Sequence, residues 1–455
     1  MQPSASSPAA RPPLMPGFPL IGNVANMRRD SLRVFLAGYH QHGDVVQYRW
    51  LGNLSWVNFY HPNDIDYILR HNQRNYPKGF FNTIINPLVG NGLLTSEGDF
   101  WRRQRRLAQP AFHRPRLAAL ATTMTRTIEA VAERWEQRVD AAQPFNVAED
   151  MMPLTLRVVV QALFSAELTT TADTMGQALT VALEYLNTRS FQILPLPMNL
   201  PTPANRRFQH ALAELHTVAQ SIIAERRRSG TDHGDLLSML MLARDEETGE
   251  GMSDAQLRDE VMTVMLAGHE TTAVALSWLW FLLAEHPAVE HDLHDELDGV
   301  LGGRTPELAD LARLPFTKMV IEEALRLYPP VWATGRQAVE DDEVGGYAIP
   351  KGMLVQMSQF VTHRHREFWE RPNSFYPEHF TPERTADRPH FAYFPFGGGP
   401  RQCIGNNFAL MEAQLALAIL AQRFRVRLVP GQQIVPQPVI TLRPRNGIRV
   451  FLERR

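Results

Sequence analysis

A mainly α-helical chain with a smaller β-rich part is what the sequence predicts, and three observations carry that expectation. Amphipathic helical spacing dominates from about residue 99 to 240. Ser253-Asp254-Ala255-Gln256 is a capping-box pattern that opens a further helical stretch, 254–286, closed by Pro287. Short alternating segments collect towards the two ends of the chain, as half-buried strands do.

Taken in order, residues 1–17 are rich in Pro, Ser and Ala and are expected to form a flexible tail. Residues 45–50 and 56–60 flank a Leu-Gly-Asn turn and predict a hairpin. The helical region that follows is broken at 195–203 by prolines, which suggests a mobile loop. The stretch 254–286 would be roughly 50 Å long at 1.5 Å per residue, and its apolar second half must cross the interior. A helix over about 316–328 is stopped by Pro329-Pro330, short strands and turns follow to about 360, and a helix is expected near 407–422. Residues 425–429, 439–442 and 447–452 alternate like strands. No Gly/Ser tract or internal repeat divides the chain, so 18–455 reads as one catalytic domain.

Composition narrows the function. With 455 residues, 44% apolar and 21% charged, the chain can bury a large core, which excludes a disordered or fibrous protein. A net charge of −2 gives no reason to expect nucleic acid as partner. The only cysteine, Cys403, excludes an internal disulfide, a cysteine-clustered zinc site and an all-cysteine iron–sulfur cluster. The start lacks a basic, apolar leader, and the longest apolar run, 271–284, is closed by Glu270 and Glu285, short of the ~18–20 residues that span a bilayer. A cytoplasmic, soluble protein without a membrane anchor is expected.

Cys403 lies in Phe396-Gly397-Gly398-Gly399-Pro400-Arg401-Gln402-Cys403-Ile404-Gly405. Three glycines and a proline make a backbone that turns tightly or approaches something closely. A helix beginning just after the cysteine favours a thiolate, which serves as a nucleophile or a metal ligand. A phosphate loop is excluded, because no Gly-Lys-Ser/Thr follows and the dinucleotide spacing fails at Gln402. An inert buried cysteine is the commoner case, but the flanking glycines and Arg401 argue against it here.

Phe-x-x-Gly-x-Arg-x-Cys-x-Gly resembles the haem-binding motif of the cytochrome P450 superfamily, with Phe396, Gly397, Arg401, Cys403 and Gly405 in or beside its defined positions. Three further motifs share the resemblance. Ala267-Gly268-His269-Glu270-Thr271-Thr272 places small residues, able to admit a flat ligand or a gas molecule, before an acid and two hydroxyls. It is no zinc-protease motif, since Ala273 stands where the second histidine would be. The resemblance assigns Glu270 and Thr271, with Thr272 beside them, to proton delivery during O2 activation. Glu323 and Arg326 in Glu-Ala-Leu-Arg match a structural ion pair, although His379 in Pro377-Glu378-His379-Phe380 stands where the family has an arginine. Trp101 and Arg105, with Arg336 and Arg401, match positions that bind the haem propionates.

The resemblance covers nearly the whole chain. It implies haem b between the long helix and the cysteine loop, Cys403 thiolate as the metal ligand, and insertion of one oxygen atom of O2 into a C–H bond or alkene of an apolar substrate. Fatty acid, terpenoid, steroid and macrolide substrates all stay open. Residues 404–455 are too few for a flavin reductase domain, so a separate ferredoxin or flavodoxin with an NAD(P)H-dependent reductase is expected, and a monomer. The alternatives are a peroxide-using haem-thiolate enzyme, which would not need Glu270 and Thr271, and a non-catalytic haem sensor. Other features read as structural: His291 and His294 solvated among acids, His363 and His365 fold-supporting, and Arg226, Arg227 and Arg228 at a helix end. Arg102, Arg103, Arg106, Arg114 and Arg116 suggest a docking face for an acidic partner.

Overall fold

Ser253 caps a 32-residue helix, Asp254–Glu285, as its sequence predicts. The Gln256 amide donates to its hydroxyl at 3.3 Å, and its own amide donates to the Gln256 side chain at 2.8 Å. The computed structural model describes residues 10–52, 54–141, 143–164, 169–190, 192, 196–245 and 247–455. The chain divides into two units: Met1–Thr83, Arg326–Ser374 and Thr381–Cys403 form one, and Ile84–Leu325, Phe375–Phe380 and Ile404–Arg455 the other.

The larger, helical unit is built around Asp254–Glu285. Val261, Met262, Met265 and Leu266 of this helix pack with Leu156, Val159 and Val160 of the helix Ala148–Phe164. One row of the long helix escapes full burial: Val264, Ala267, Gly268, Thr271 and Ala275 recur at three- and four-residue spacing along one face. The helix Asn406–Ala421 is buried almost throughout, as its alanine- and leucine-rich sequence demands, and packs on Arg114–Ala141. Trp135 of the latter is wholly buried against Trp280 and Phe424, with ring centroids 5.3 and 5.5 Å away.

Two small sheets finish this unit. Strand Arg449–Arg454 pairs antiparallel with Phe145–Asn146 and Phe424–Leu428. Residues 439–442, expected as a strand, mostly form the turn of a hairpin, Pro436–Pro438 with Leu442–Pro444. Three prolines remove amide donors there and shorten the pairing to three residues a side. The loop expected to be mobile at 195–203 is bonded where it is described: the buried Asn205 side chain donates to the carbonyls of Pro197 and Leu200 at 3.0 and 2.8 Å. Leu194 lies outside the described residues.

The other unit holds the predicted hairpin, with Val45↔Phe59 through Arg49↔Ser55 in antiparallel register. Ser55–Phe59 then runs parallel to Leu354–Met357, which pairs antiparallel with Thr334–Gln337. Residues 10–17, expected to be part of a flexible tail, are tied instead to the hairpin and to the strand Tyr347–Ile349 of the same unit. Met15 N donates to Gln47 O at 2.9 Å, Gln47 N to Pro13 O at 2.8 Å, and Ala348 N to Ala10 O at 2.9 Å. Residues 1–9 lie outside the described residues. Arg326 is wholly buried, donates to the carbonyls of His363, Pro372 and Ser374 at 2.7–2.8 Å, and lies over the Trp369 ring at 4.8 Å. His363 in turn accepts from Phe394 N at 2.9 Å, and His365 bonds Asp44 at 2.9 Å, so both histidines brace the fold as expected.

Candidate active site

The cysteine loop needs its glycines for stated reasons. Gly397 and Gly399 have φ of 68° and 64°, the left-handed region that other residues avoid. A Cβ on Gly399 would stand 2.0 Å from the carbonyl oxygen of Leu69. The loop closes with Cys403 N donating to Phe396 O at 2.9 Å, and Cys403 ends on an exposed surface of its unit. Gly405 is different: its φ is −93° and a Cβ there would meet only Phe112 at 3.9 Å, an ordinary contact. Arg336 lies in the sheet of the same unit as Arg401 and Cys403, mostly buried, with a bond to Gly335 O at 2.8 Å.

The motif on the long helix sends three consecutive residues into three environments, because each step turns about 100°. Thr271 lies on the half-exposed row with Ala267 and Gly268, and its hydroxyl donates to Ala267 O at 2.5 Å. Gly268 is packed closely enough that a Cβ would meet Val159 Cγ2 at 2.9 Å. Glu270 is 1% exposed and turns towards the C-terminal hairpin. Its Oε1 accepts from Thr441 Oγ1 at 2.5 Å and from Arg443 Nε at 2.6 Å, and Arg443 Nη2 lies 2.6 Å from it as an ion-pair contact. Thr272 points into the core, where its hydroxyl is the polar neighbour of the wholly buried Glu412, whose carboxyl burial pushes far above the usual range.

Two more titratable groups sit on this helix. Burial, helped by the charge of Arg443, pushes the His269 imidazole down to about 4, so it is neutral at neutral pH. Glu260 is pushed up to about 7 by burial, opposed by one hydrogen bond from Leu93 N at 3.0 Å. Neither Glu412 nor Glu260, nor the partners Thr441 and Arg443, stood out in the sequence.

Trp101 and Arg105 share one face of the helix Gly98–Ala108, with Trp101 buried and Arg105 half-buried. The Glu323 carboxylate accepts from Tyr376 N at 2.8 Å and meets His379 Nδ1 at 3.1 Å, so the histidine does occupy the place of the family's arginine beside this acid. Two expectations need correction. His294 is buried rather than solvated and is pushed down to about 4 by burial, whereas His291 is exposed as expected and pairs with Asp295. The basic run is answered from within: Arg102 pairs with Asp99, Arg103 with Glu250 at 3.5 Å, and Arg106 with Asp245 and Glu247 at 2.7 and 3.2 Å. These acids cancel the local positive field that suggested a docking face. The side chains of Arg114 and Arg116 lie outside the described residues.

An exposed thiol on a glycine-turned loop and a buried helix with one small-residue face are the parts of a haem-thiolate protein. The model of the family "Cytochrome P450" matches residues 12–450, and the chain belongs to that family. It is 43% identical to cyclooctatin synthase of Streptomyces melanosporofaciens over 94% of this chain and 92% of the relative. It is 38% identical to cyclooctat-9-en-7-ol 5-monooxygenase of the same organism (94% and 93% covered), and 35% identical to pentalenene oxygenase of Streptomyces avermitilis (96% and 96%). A crystal structure of the cytochrome P450DA heme domain superposes with a TM-score of 0.91 at 29% identity, covering 99% of this chain and 98% of that one.

The chain is therefore a monooxygenase whose cofactor is iron protoporphyrin IX. Its residues fit that group. Cys403 presents an exposed thiol on a loop turned by Gly397 and Gly399, the single soft donor that iron held within a macrocycle would take from the protein. Among the described residues, no single helix is long and apolar enough to cross a membrane.

Proposed function

We propose that this enzyme oxygenates a cyclic terpenoid, inserting one atom of O2 into a C–H bond or alkene of an apolar ring skeleton. The observation that carries the substrate class is the likeness, at 35–43% identity over at least 94% of the chain, to three enzymes whose names specify cyclooctatin, cyclooctatenol and pentalenene chemistry. The half-exposed face Val264, Ala267, Gly268 and Thr271 supports it: carbon-rich, with a single hydroxyl and no charge to anchor a carboxylate.

In this reading Cys403 supplies the thiolate ligand, and Trp101, Arg105, Arg336 and Arg401 hold the propionates. The bound haem supplies O2 activation, favoured by thiolate donation. Ala267 and Gly268 leave space against the helix, while Glu270 and Thr271 hold and pass the protons that this activation consumes. Glu323, His379 and Arg326 support the fold around the cysteine loop. Electrons come from a separate ferredoxin or flavodoxin with its NAD(P)H-dependent reductase, in the cytoplasm, to a monomeric enzyme.

The test is a panel of cyclic diterpene and sesquiterpene hydrocarbons and alcohols beside fatty acids, steroids and macrolides. Each is read by the substrate-induced spin shift and by oxygenated product with a surrogate ferredoxin system. Spin shifts and products confined to the terpenoids support the proposal, and tighter binding with turnover of a fatty acid would overturn it. Turnover with peroxide and none with the ferredoxin system would favour the peroxide-using alternative.

A further inference from the structure

We infer that Arg443 and Thr441 of the C-terminal hairpin are positioning residues for Glu270, so that this hairpin fixes which carboxylate oxygen takes part in proton delivery. The inference rests on the reading of Glu270 as a proton-delivering acid. Three groups converge on one atom: Thr441 Oγ1 and Arg443 Nε donate to Glu270 Oε1 at 2.5 and 2.6 Å, and Arg443 Nη2 lies 2.6 Å from it as an ion-pair contact. A proton on Oε1 would face those donors, so Oε2 is the oxygen that carries it. The two anchors come from one hairpin and arrive 171 and 173 residues along the chain from the acid, so the contact is tertiary and specific.

The hairpin is held to the helical unit independently of Glu270. Trp278 Nε1, about two helical turns beyond Glu270, donates to Leu442 O at 2.7 Å, and Ile440 N donates to Asn187 Oδ1 at 3.0 Å. Thr441 and Arg443 are therefore presented on a scaffold that Glu270 does not itself maintain. The adjacent His269 is neutral and cannot replace the acid, since burial and the charge of Arg443 keep it unprotonated. The guanidinium orients the Glu270 side chain as a lone hydroxyl could not.

Four variants of the holoenzyme test this: Glu270→Gln, Arg443→Met, Arg443→Lys and the double Glu270→Gln/Arg443→Met. In the ferric protein, the carboxyl infrared band assigned by subtracting Glu270→Gln should move in Arg443→Met and stay close to its place in Arg443→Lys. Product formed per NAD(P)H consumed should fall about tenfold in Arg443→Met, recover in Arg443→Lys, and fall no further in the double variant than in Glu270→Gln. Peroxide-supported turnover, in which the oxidant brings its own protons and electrons, should be retained in Arg443→Met and Arg443→Lys, which separates positioning from general damage. An unmoved infrared band, or unchanged product yield in Arg443→Met beside an impaired Glu270→Gln, overturns the positioning role and leaves the acid role standing. Unchanged product yield in Glu270→Gln overturns the acid role and the hairpin's part in it together.

Discussion

Glu270 and Glu412 are both shut away from water in the helical unit, yet the surroundings treat their charge in opposite ways. On the hairpin side, Glu270 meets a guanidinium and a hydroxyl on one oxygen. On the core side, Glu412 has the Thr272 hydroxyl near it, and burial pushes its carboxyl far above the usual range, so it keeps its proton. Glu260 lies between these extremes: one backbone amide opposes its burial, and it titrates at about 7. Donors, more than depth, decide whether a buried acid stays charged. The long helix thereby turns Glu270, Thr271 and Thr272 towards different neighbours, and the neighbour of Thr272 is Glu412 of the helix Asn406–Ala421.

The largest effect is expected from removing the cation. Arg443→Met leaves a buried carboxylate without its guanidinium and should cost about 3 kcal/mol of stability by urea unfolding. The double variant Glu270→Gln/Arg443→Met should regain most of that loss, because no charge remains to be stranded. If the single variant is as stable as wild type, the hairpin side does not hold a charge as described.

Glu412→Gln should act in the opposite sense. The folded protein keeps the Glu412 proton at a pH where the unfolded chain has released it. Wild-type stability therefore declines from about pH 4.5 upwards by about 1.4 kcal/mol per pH unit from this group, until the folded group itself ionises. Glu412→Gln removes that slope, and unfolding midpoints measured from pH 5 to 8 should diverge steadily in the variant's favour. Parallel pH dependences would show that Glu412 is charged in the fold and would end the contrast with Glu270.

Smaller effects sharpen the picture. Thr441→Val removes one donor to a charged acceptor and should cost about 1.5 kcal/mol, half the loss in Arg443→Met, by the same unfolding measurement. Gly268→Ala puts a methyl group 2.9 Å from Val159 Cγ2 and should cost about 1 kcal/mol, regained when Val159 is shortened to alanine.

The sequence made the local parts of this molecule legible and left the distant ones dark. The capping box at Ser253, the hairpin around Leu51-Gly52 and the proline stops are set by neighbours in the chain, and the structure places them within a residue or two. The haem-binding motif was legible for the same reason, since its turns are coded by adjacent glycines. The partners of Glu270 were not, because Arg443 stands 173 residues away in a strand shortened by prolines. The same holds for Arg103 and Arg106: the acids that answer them, Asp245, Glu247 and Glu250, come from a distant loop. His294 looked solvated because its sequence neighbours are acidic, but helical periodicity turns it inwards with Leu293 and Leu297.

The most direct test of the account is the carbon monoxide difference spectrum of the purified, dithionite-reduced protein, beside Cys403→Ala. Thiolate ligation by Cys403 predicts a strongly red-shifted Soret band in the wild type that is lost in the variant. A band at the position of histidine-ligated haem, or one that survives Cys403→Ala, would contradict it.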